Sequence, residues 1–541
     1  MQEENIVKLP VLLLTFLCLS AVTASAVEYP LTVSTDGRNL LDDRGDAVVL
    51  NAGTPWHLAA RLTREEVADY LDTRAGQGIN ALLMALMVTD GYSTGSAQNV
   101  YGDEPFLSPG DFGRPNEAYF SHVDWVIEQA NQRGIMMLIT PVYLGWGCGD
   151  EGWCAEANAA GPTEMRDFGR WVGNRYKNQP NIIWVQGGDV DAGAYGAMPE
   201  VNAIAEGILE VDSAHLHTAH CDRQNSGRDC YDQPWMDLDT TYSDCSRTPV
   251  QIRDDYNRIP WMPTIYIEGV YEFEHSVSAE CIRSQAWWAA LGGLSGHFFG
   301  SGKIWDFTPD WRQGLVTEGT TSMQHFGTIL KARGWGELVP DYAHNVMVSG
   351  YGDINGSDYA ATATRADRNS VISYLPTPRT VTIAMNRVEG SEADAWWIDP
   401  AEGSGQYIGR YATSGTRDFS TPGPGDWVLV IDNAAANLID PWVGSTNVSD
   451  TPANSRVQVL SASPNPFNPR TVLSFVAPAG EHLQVAVYDA RGRLLERIFD
   501  AAATGEVQTL TWEPHGLASG TYFVRASSGG QTSVRKVGLL K

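Results

Sequence analysis

Residues 135–143 read IMMLITPVY, and residues 181–189 read NIIWVQGGD. Each stretch is short and predominantly apolar, as expected of a buried β-strand, and the second ends in two glycines and an aspartate. Between them, residues 162–178 carry an amphipathic helical pattern. A strand, a helix and a second strand in this order form the repeating unit of a parallel sheet whose crossovers are helices.

The same alternation extends from residue 45 to about residue 335, with eight strand segments and one irregular interval at residues 224–237. The predicted strands are Ala47–Gly53, Ile79–Val88, Ile135–Tyr143, Asn181–Asp189, His215–Cys221, Leu238–Ser243, Pro263–Gly269 and Ser295–Gly300. Eight such units over roughly 250 to 300 residues are typical of a (β/α)8 barrel, also called a TIM barrel. We therefore predict an α/β barrel for residues 27–336.

The pattern changes after residue 337, where short strand-like runs are separated by Gly, Pro, Asp and Asn. This pattern predicts a small β-sandwich over residues 337–432. Residues 433–457 are polar and rich in Ala, Asn, Ser and Thr, which indicates a linker. Further short strand patterns over residues 458–541 predict a second, Ig-like sandwich.

An apolar run at residues 9–22 is followed by the small-residue tripeptide Ala-Ser-Ala at 24–26. This order predicts a signal peptide over residues 1–26, and hence export. A transmembrane helix is the weaker interpretation, because the run is shorter than the roughly 20 apolar residues that span a bilayer and Pro10 interrupts its start.

Composition excludes several classes of partner. The chain has 43% hydrophobic and 19% charged residues, which is typical of a globular protein, and its net charge is -28. That charge opposes contact with nucleic acid or an anionic membrane surface, and it keeps an exported protein soluble. We expect a monomer, no nucleic-acid partner, no metal and no cofactor.

One of the seven cysteines lies in the predicted signal peptide, which leaves six. An even number in an oxidising compartment predicts disulfides, although six cysteines allow fifteen pairings. Short loops favour the pairs Cys148 with Cys154, Cys221 with Cys230, and Cys245 with Cys281. The cysteines show no C-x-x-C spacing of the kind that binds zinc.

Two acids follow predicted strands at positions suited to catalysis. The fourth strand ends in Asp189 and the seventh in Glu268. In a (β/α)8 barrel the chemistry lies at the carboxyl ends of the strands, so these acids would face each other across the barrel mouth. Glycoside hydrolysis needs one protonated acid and one ionised carboxylate in that arrangement. The alternative is that Asp189 only shapes a turn and that Glu268 pairs with an arginine such as Arg283.

Five stretches of the predicted barrel, together with Trp305, carry a family pattern. They are residues 53–58 (GTPWHL), 74–80 (RAGQGIN), 187–189 (GGD), 271–272 (YE) and 292–300 (GGLSGHFFG). Residues 45 to about 330 thereby resemble the apiosidase-like catalytic domain, which comprises glycoside hydrolase family 140 and its relatives, some of them labelled as collagenases. The resemblance implies a retaining, exo-acting barrel with Asp189 as acid/base and Glu268 as nucleophile.

The chain departs from the family pattern at two places. The family's Gly-Asp-Thr-Ala-Trp appears as AGTPW at residues 52–56, so an acid expected near the pocket floor is absent. Its Glu-Pro-x-Tyr-Glu appears as EGVYE at residues 268–272. These changes affect the prediction of which sugar is cleaved more than the prediction of the reaction class. Apiose cleavage from a pectin side chain is what the resemblance suggests.

Strand-end positions and the resemblance also predict the residues that bind substrate. Aromatic rings would stack on sugar faces, while amides and imidazoles would bind hydroxyl groups, and core packing is the alternative for any one aromatic residue. The candidates are Trp56, His57, Asn80, Tyr143, Trp146, His220, Tyr266, Tyr271, His297 and Trp305.

The segment at residues 215–220, HLHTAH, needs separate consideration, because imidazole is a common metal ligand. In a strand, His215 and His217 share one face while His220 points to the other. This favours a half-buried strand with His220 at the barrel mouth over a metal site. The sequence holds no His-Glu-x-x-His, so the collagenase label gains no support from a zinc-protease motif.

Both C-terminal modules also resemble known domains. Residues 337–432 are similar to a collagen-binding-type domain, for which ligand binding and simple packing against the barrel remain open. The last module carries SPNPFN at 463–468, YDARGR at 488–493 and LASGTYFV at 517–524. It resembles a type IX secretion sorting domain or a flagellar-hook-type Ig-like module. The implied partner is the secretion machinery, and the implied location is secreted or cell-surface attached.

Three functions remain for comparison. The first is an exo-acting, retaining glycosidase on a plant-type polysaccharide or oligosaccharide. The second is an endo-acting glycanase on the same barrel, since the loops at residues 90–116 and 145–160 could shape either a pocket or a cleft. The third is a carbohydrate- or matrix-binding protein on an inactive barrel.

Overall fold

The structure is a computed structural model that forms two compact units, Met1–Gly444 and Ser445–Lys541. The residues it describes are 27, 29–89, 96–436, 438–441, 458–463, 467–477, 480–489, 493–504, 508–528 and 531–539. The predicted signal peptide and most of the predicted linker lie outside the described residues. Among the described helices, none has the length and apolar character needed to cross a membrane.

Eight parallel strands form the first sheet, which confirms the predicted (β/α)8 barrel. They are β1 (Leu50–Gly53), β2 (Ala81–Ala85), β3 (Met136–Thr140), β4 (Ile182–Gly187), β5 (Leu216–His220), β6 (Asp239–Tyr242), β7 (Thr264–Glu268) and β8 (Gly296–Phe299). Their hydrogen-bonded order is β5-β4-β3-β2-β1-β8-β7-β6. Three short strands precede the barrel in a small antiparallel sheet: Thr32–Val33, Leu40–Leu41 and Ala47–Val48.

A helix follows each barrel strand. They are α1 (Arg64–Gly76), α2 (Glu117–Asn131), α3 (Cys154–Tyr176), α4 (Met198–Leu209), α5 (Gly227–Cys230), α6 (Thr248–Asn257), α7 (Ala279–Leu291) and α8 (Glu318–Arg333). The irregular fifth interval holds only the single turn α5. The start of α1 is fixed by Thr63, whose backbone N–H donates to Glu66 and whose hydroxyl accepts the Glu66 N–H.

The barrel closes between β5 and β6 with the help of side chains. The Thr218 hydroxyl donates to the carbonyl of Leu238 at 2.8 Å, and the Thr240 hydroxyl donates to the carbonyl of Ala219 at 2.6 Å. The His217 N–H donates to the Asp237 carboxylate at 2.9 Å. At this seam the regular ladder of backbone hydrogen bonds is interrupted, and side chains form hydrogen bonds with the backbone groups there instead.

Side-chain alternation along the strands divides the core into two layers. Leu83, Leu138 and Val185 pack in the barrel interior, whereas their neighbours Leu82 and Met137 pack outward against the helices. Residues at odd and even positions of a strand therefore face different surroundings. This alternation decides which strand residues can reach a pocket at the barrel mouth.

The second domain of the same unit is a β-sandwich of two antiparallel sheets. The larger sheet contains Leu338–Pro340, Ala361–Arg365, Ser370–Leu375, Trp427–Asn433, Glu392–Ile398 and Gly405–Ala412 in hydrogen-bonded order; the smaller contains Met347–Ser349, Thr380–Ala384 and Thr416–Ser420. The strands Leu338–Pro340 and Thr416–Ser420 were not predicted. Thr416–Ser420 is largely exposed, so it lacks the apolar alternation that marks a strand in sequence.

Two buried ion pairs join the barrel helices to this sandwich. Arg333, the last residue of α8, is fully buried and forms a two-point contact with Asp432 at 2.6 and 3.2 Å. Arg283 on α7 forms a similar contact with Asp426 at 2.7 and 2.9 Å. Arg283, the arginine suggested above as a partner for Glu268, therefore pairs with Asp426 of the sandwich instead.

The C-terminal unit is a second β-sandwich. Its sheets contain Gln458–Ser463, Thr471–Val476 and Gln508–Trp512, and Leu494–Ala502, His482–Asp489, Gly520–Ser528 and Gln531–Leu539. Phe467, Phe475 and Trp512 contribute to its buried core. The unit has its own hydrophobic core, as an independently folding module should.

Three disulfides confirm the predicted pairing. They join Cys148 to Cys154, Cys221 to Cys230, and Cys245 to Cys281. Each lies in or beside a loop that leaves the carboxyl end of a barrel strand, where a covalent link restricts the unfolded chain and anchors the loop.

The first prediction concerns the buried pair at the end of α8. Asp432→Asn should lower the free energy of unfolding of the first unit by about 3–5 kcal/mol, because the Arg333 guanidinium would remain buried without a counter-charge. Asp418→Asn is the matched control, since Asp418 lies on the same sandwich, is exposed, and accepts a hydrogen bond from Thr382 at the surface. Denaturant unfolding measures both, and equal effects of the two substitutions would contradict this account.

Candidate active site

A cavity of about 250 Å³ opens at the carboxyl ends of the barrel strands. Its lining comes mainly from the segments that follow β1, β3, β4, β5, β7 and β8. The lining residues are Trp56, Tyr143, Trp146, Glu151, Asp189, Arg223, Tyr242, Glu268, Gly269, Val270, Tyr271, Glu274, His275 and Trp305. Both predicted catalytic acids are among them.

Gly187, the last residue of β4, and Gly188 after it position Asp189. Gly187 and Gly188 have φ angles of 82° and 107°, and Asp189 itself has 55°, so three successive residues adopt conformations that favour glycine. A Cβ at Gly187 would lie 2.1 Å from the Tyr231 hydroxyl, and one at Gly188 would lie 2.3 Å from the Tyr143 ring. The turn can form only with glycine at both positions, and it directs Asp189 into the cavity.

The surroundings of Asp189 favour its protonated form. Burial, and after it the negative charge of Glu268, raises the pKa of Asp189 to about 7. Its Oδ1 atom is buried and has no hydrogen-bond partner within the described structure. At neutral pH a large fraction of Asp189 therefore carries a proton, as a general acid must.

Glu268, the last residue of β7, reaches the cavity through an irregularity in the strand. Ile265 and Ile267 pack into the barrel interior, so simple alternation would send Glu268 outward with Tyr266. The pairing of β7 with β6 shifts between Tyr266 and Glu268, and this shift lets Glu268 line the cavity. Such bulges commonly redirect side chains beside active sites.

His220 at the end of β5 connects the two acids. Its Nδ1 accepts the backbone N–H of Asp189 at 2.8 Å, and its Nε2 lies 2.6 Å from Glu268 Oε2. Because Nδ1 accepts a hydrogen bond, the ring proton lies on Nε2 and is donated to the Glu268 carboxylate. His220 is fully buried, so this contact fixes Glu268 in one orientation.

Tyr271 and Trp56 support Glu268 from another side. The Trp56 indole N–H donates to the Tyr271 hydroxyl at 3.0 Å. Burial raises the pKa of Tyr271 well above its ordinary value, and the adjacent Glu268 carboxylate adds to the effect. The Tyr271 hydroxyl therefore stays protonated and can donate to Glu268.

Aromatic rings form the walls of the cavity. The Trp56 and Tyr143 rings lie 5.2 Å apart between centroids. The Trp305 indole N–H donates to Glu274 Oε1 at 2.9 Å, and this bond fixes the ring at the cavity wall. Trp146 also lines the cavity, with 70% of its surface exposed. Rings of this kind present apolar faces that suit sugar rings.

Five predicted substrate-binding residues are not part of the cavity lining, and these predictions are corrected. One of them is His220, which is fully buried and uses both ring nitrogens to contact Asp189 and Glu268. Asn80 precedes β2 at the opposite, amino-terminal end of the barrel, where its side chain bonds to the backbone of Val49 and Asn51. Tyr266 and His297 are paired residues of β7 and β8 that face the helix layer, with rings stacked 5.4 Å apart. Tyr266 and His297 point outward because side chains alternate between the two faces of a strand. Closeness to a strand end does not tell which face a residue occupies.

The last of these residues, His57, supports the cavity wall from behind. It is almost completely buried, its Nδ1 lies 2.6 Å from Asp306 Oδ1, and its ring lies edge-on to Trp305 at 5.5 Å. Asp306 also binds Arg61 at 2.9 Å. His57 thus contacts Trp305 and Asp306 and is not part of the cavity lining.

The three histidines of the segment at residues 215–220 do not meet at one site. His215 binds Asp212 and the carbonyl of Gln179, each at 2.6 Å. His217 is buried on the outer face of the barrel, where burial lowers its pKa to about 4. His220 alone points toward the cavity. The alternation predicted for this strand is thus observed.

The two departures from the family pattern have local physical explanations. A Cβ at Gly53 would lie 3.5 Å from Leu82 and 3.8 Å from the Tyr70 hydroxyl, so a side chain there would face the helix layer and not the pocket floor. A Cβ at Gly269 would lie 2.1 Å from Gln285 Oε1. Gln285 accepts the Val270 N–H at 2.8 Å, so Gly269 leaves room for the side chain that anchors this loop.

Several lining residues were not predicted from the sequence: Glu151, Arg223, Tyr242, Gly269, Val270, Glu274 and His275. Tyr242 ends β6, so the strand-end criterion applied to that strand would have found it. Glu151 lies between Cys148 and Cys154, in a disulfide-closed loop whose direction depends on the fold. Glu274 is recognisable only through its contact with Trp305.

Comparison with solved structures gives the same fold. A glycoside hydrolase matches with a TM-score of 0.66 and 22% identity, covering 75% of this chain and 97% of that one. A glycoside hydrolase family 5 protein from Bacteroides vulgatus matches with a TM-score of 0.66 and 22% identity, covering 76% and 94%. No curated protein sequence matches the chain.

Three family models match successive parts of the chain. Residues 34–337 match the apiosidase-like catalytic domain, residues 345–432 the collagen-binding domain of a collagenase, and residues 461–539 the secretion system C-terminal sorting domain. The first match and the barrel fold define a glycoside hydrolase, which acts on carbohydrate. The chain belongs to the apiosidase-like family. The sorting domain confirms that the protein is secreted or attached to the cell surface.

The second prediction concerns the charge coupling between the two acids. Glu268→Gln should lower the pKa of Asp189 below about 7, because it removes the negative charge that, after burial, contributes most to raising it. Carbon-13 NMR of the aspartate carboxyl groups follows the titration. Glu280→Gln on α7 serves as the control and should leave the titration unchanged. An unaltered midpoint in Glu268→Gln would show that the two carboxyl groups do not interact.

Proposed function

We propose that the protein is a retaining, exo-acting glycoside hydrolase that removes a terminal sugar from a plant-type polysaccharide or oligosaccharide. Asp189 is the general acid/base and Glu268 the nucleophile. The observation that carries this proposal is that two different carboxyl groups line one cavity. The pKa of Asp189 is raised to about 7, whereas the carboxylate of Glu268 accepts a hydrogen bond from His220. Two carboxyl groups in such different surroundings suit two different roles.

In the first step, Glu268 attacks the anomeric carbon while the glycosidic bond breaks. Asp189 donates its proton to the leaving oxygen, so the aglycone departs as a neutral alcohol and the sugar becomes bonded to Glu268. His220 and Tyr271 orient the attacking carboxylate.

In the second step, a water molecule replaces the aglycone beside Asp189. Asp189 is now a carboxylate and takes a proton from this water, whose oxygen attacks the anomeric carbon and releases Glu268. The proton returns to Asp189 and the cycle closes. A pKa near neutrality suits this residue, because it must give up a proton in one step and accept one in the next.

Cavity size supports exo-action. Sites that enclose drug-sized ligands have volumes of roughly 300–1,000 Å³, whereas this cavity has about 250 Å³. A space of this size fits one sugar ring, walled by Trp56, Tyr143 and Trp305. Apiose is the terminal sugar we propose, because the family takes its name from it and because a side chain at Gly53 would not face the pocket.

The third prediction tests the two catalytic residues. Asp189→Asn should lower kcat/KM by about 10²–10⁴-fold on apiose-bearing pectin oligosaccharides, the range expected for loss of general acid catalysis. Glu268→Gln should lower it at least as much, because no covalent intermediate can form. Asp191→Asn is the matched control, since Asp191 shapes the same loop by accepting from Gly193 and Ala194. Full turnover in both catalytic variants would disprove the assigned roles.

The fourth prediction concerns stereochemistry. Proton NMR of the product, recorded before the sugar equilibrates in solution, should show the anomeric configuration of the substrate bond, because two successive displacements restore it. An initial product of the opposite configuration would mean that a water attacks directly and that Glu268 acts as a base.

A further inference from the structure

Two exposed aromatic side chains lie at the edge of the cavity, on the Asp189 side of the barrel mouth. Trp146 follows β3, and 70% of its surface is exposed although it borders the cavity. Tyr195 lies on the loop after β4, and half of its surface is exposed. Large aromatic rings are costly to leave in water and are enriched where a partner covers them.

The backbone of Gly147 brings these two residues together. A Cβ at Gly147 would lie 3.2 Å from the Tyr195 hydroxyl, so Tyr195 packs directly over the residue next to Trp146. The Gly147 N–H donates to the carbonyl of Asp189 at 3.3 Å. Trp146, Tyr195 and Asp189 are therefore neighbours, connected through one backbone segment.

The loop that carries Trp146 is anchored at several points. Cys148 is bonded to Cys154, and the Trp153 N–H donates to the carbonyl of Tyr143 at 2.8 Å. A Cβ at Gly152 would lie 2.0 Å from the carbonyl carbon of Leu144, so the two ends of the loop are in tight contact. An anchored backbone loses little freedom when the Trp146 ring is covered by a ligand, which favours binding.

We propose that Trp146 and Tyr195 form a subsite that stacks against a sugar ring of the aglycone. This inference rests on the proposed role of Asp189, because a general acid protonates the leaving oxygen and the leaving sugar must lie on its side of the cavity. The terminal sugar occupies the cavity itself. The subsite makes the enzyme select a sugar that is attached to an oligosaccharide or polysaccharide over one attached to a simple alcohol.

The test compares two substrates that differ only in the leaving group: an apiose-bearing pectin oligosaccharide and methyl apioside, which has no aglycone ring. Trp146→Ala and Tyr195→Ala should each lower kcat/KM on the oligosaccharide by about 3- to 10-fold, the loss expected when one stacking contact is removed. Hydrolysis of methyl apioside should change less than twofold in Tyr195→Ala, because Tyr195 does not line the cavity. In Trp146→Ala it should fall less than hydrolysis of the oligosaccharide, because Trp146 also borders the cavity. Trp261→Ala is the control, because Trp261 is also half exposed but precedes β7 at the opposite end of the barrel.

Calorimetry with the oligosaccharide after removal of its apiose provides a readout that does not depend on turnover. This product should bind the unaltered enzyme and bind more weakly to both variants. Equal losses on the two substrates, or unchanged kinetics and product binding, would overturn the subsite while leaving the proposed function intact. Failure of the unaltered enzyme on both substrates would instead overturn the proposed apiosidase-like function, and the subsite with it.

Discussion

The active-site geometry depends on the contacts of a single buried imidazole. His220 accepts the backbone N–H of Asp189 through Nδ1 and holds the Glu268 carboxylate through Nε2. These contacts require the ends of β4, β5 and β7 to meet, which only a closed barrel achieves. The closing seam between β5 and β6 is supported by the hydroxyls of Thr218 and Thr240. The two acids therefore reach their positions only when the barrel is closed.

Helix α7 connects this site to the first β-sandwich. Arg283 points from the helix to Asp426 of the sandwich, while Gln285, two residues later, accepts the N–H of Val270 in the loop after Glu268. With the second buried pair at Arg333, the helix layer is held from the sandwich side. The sandwich thus restrains the barrel helices through buried contacts. Any ligand-binding role of the sandwich would have to leave these contacts in place.

Much of the fold could be predicted because the information is local. Most barrel strands are apolar runs, although β5 (LHTAH) and β6 (DTTY) are polar. The long helices repeat apolar residues at helical spacing, and short loops favour the disulfide pairs. The strand Thr416–Ser420 was missed because both of its faces are largely exposed. Tyr266 and His297 were misassigned because the prediction used closeness to a strand end and not the alternation of side chains, which turns both residues toward the helix layer.

The sequence by itself determined the barrel, the order of the domains, the secretion signal at the carboxyl terminus and the two acids at strand ends, because periodicity, glycine placement and short motifs act over a few residues. Only the tertiary structure decided how those acids differ. The raised pKa of Asp189 comes from burial and from the charge of Glu268, and Glu268 enters the cavity only through a register shift between neighbouring strands. Burial, charge proximity and strand register are properties of residues far apart in the chain, and they exist only once the barrel has closed.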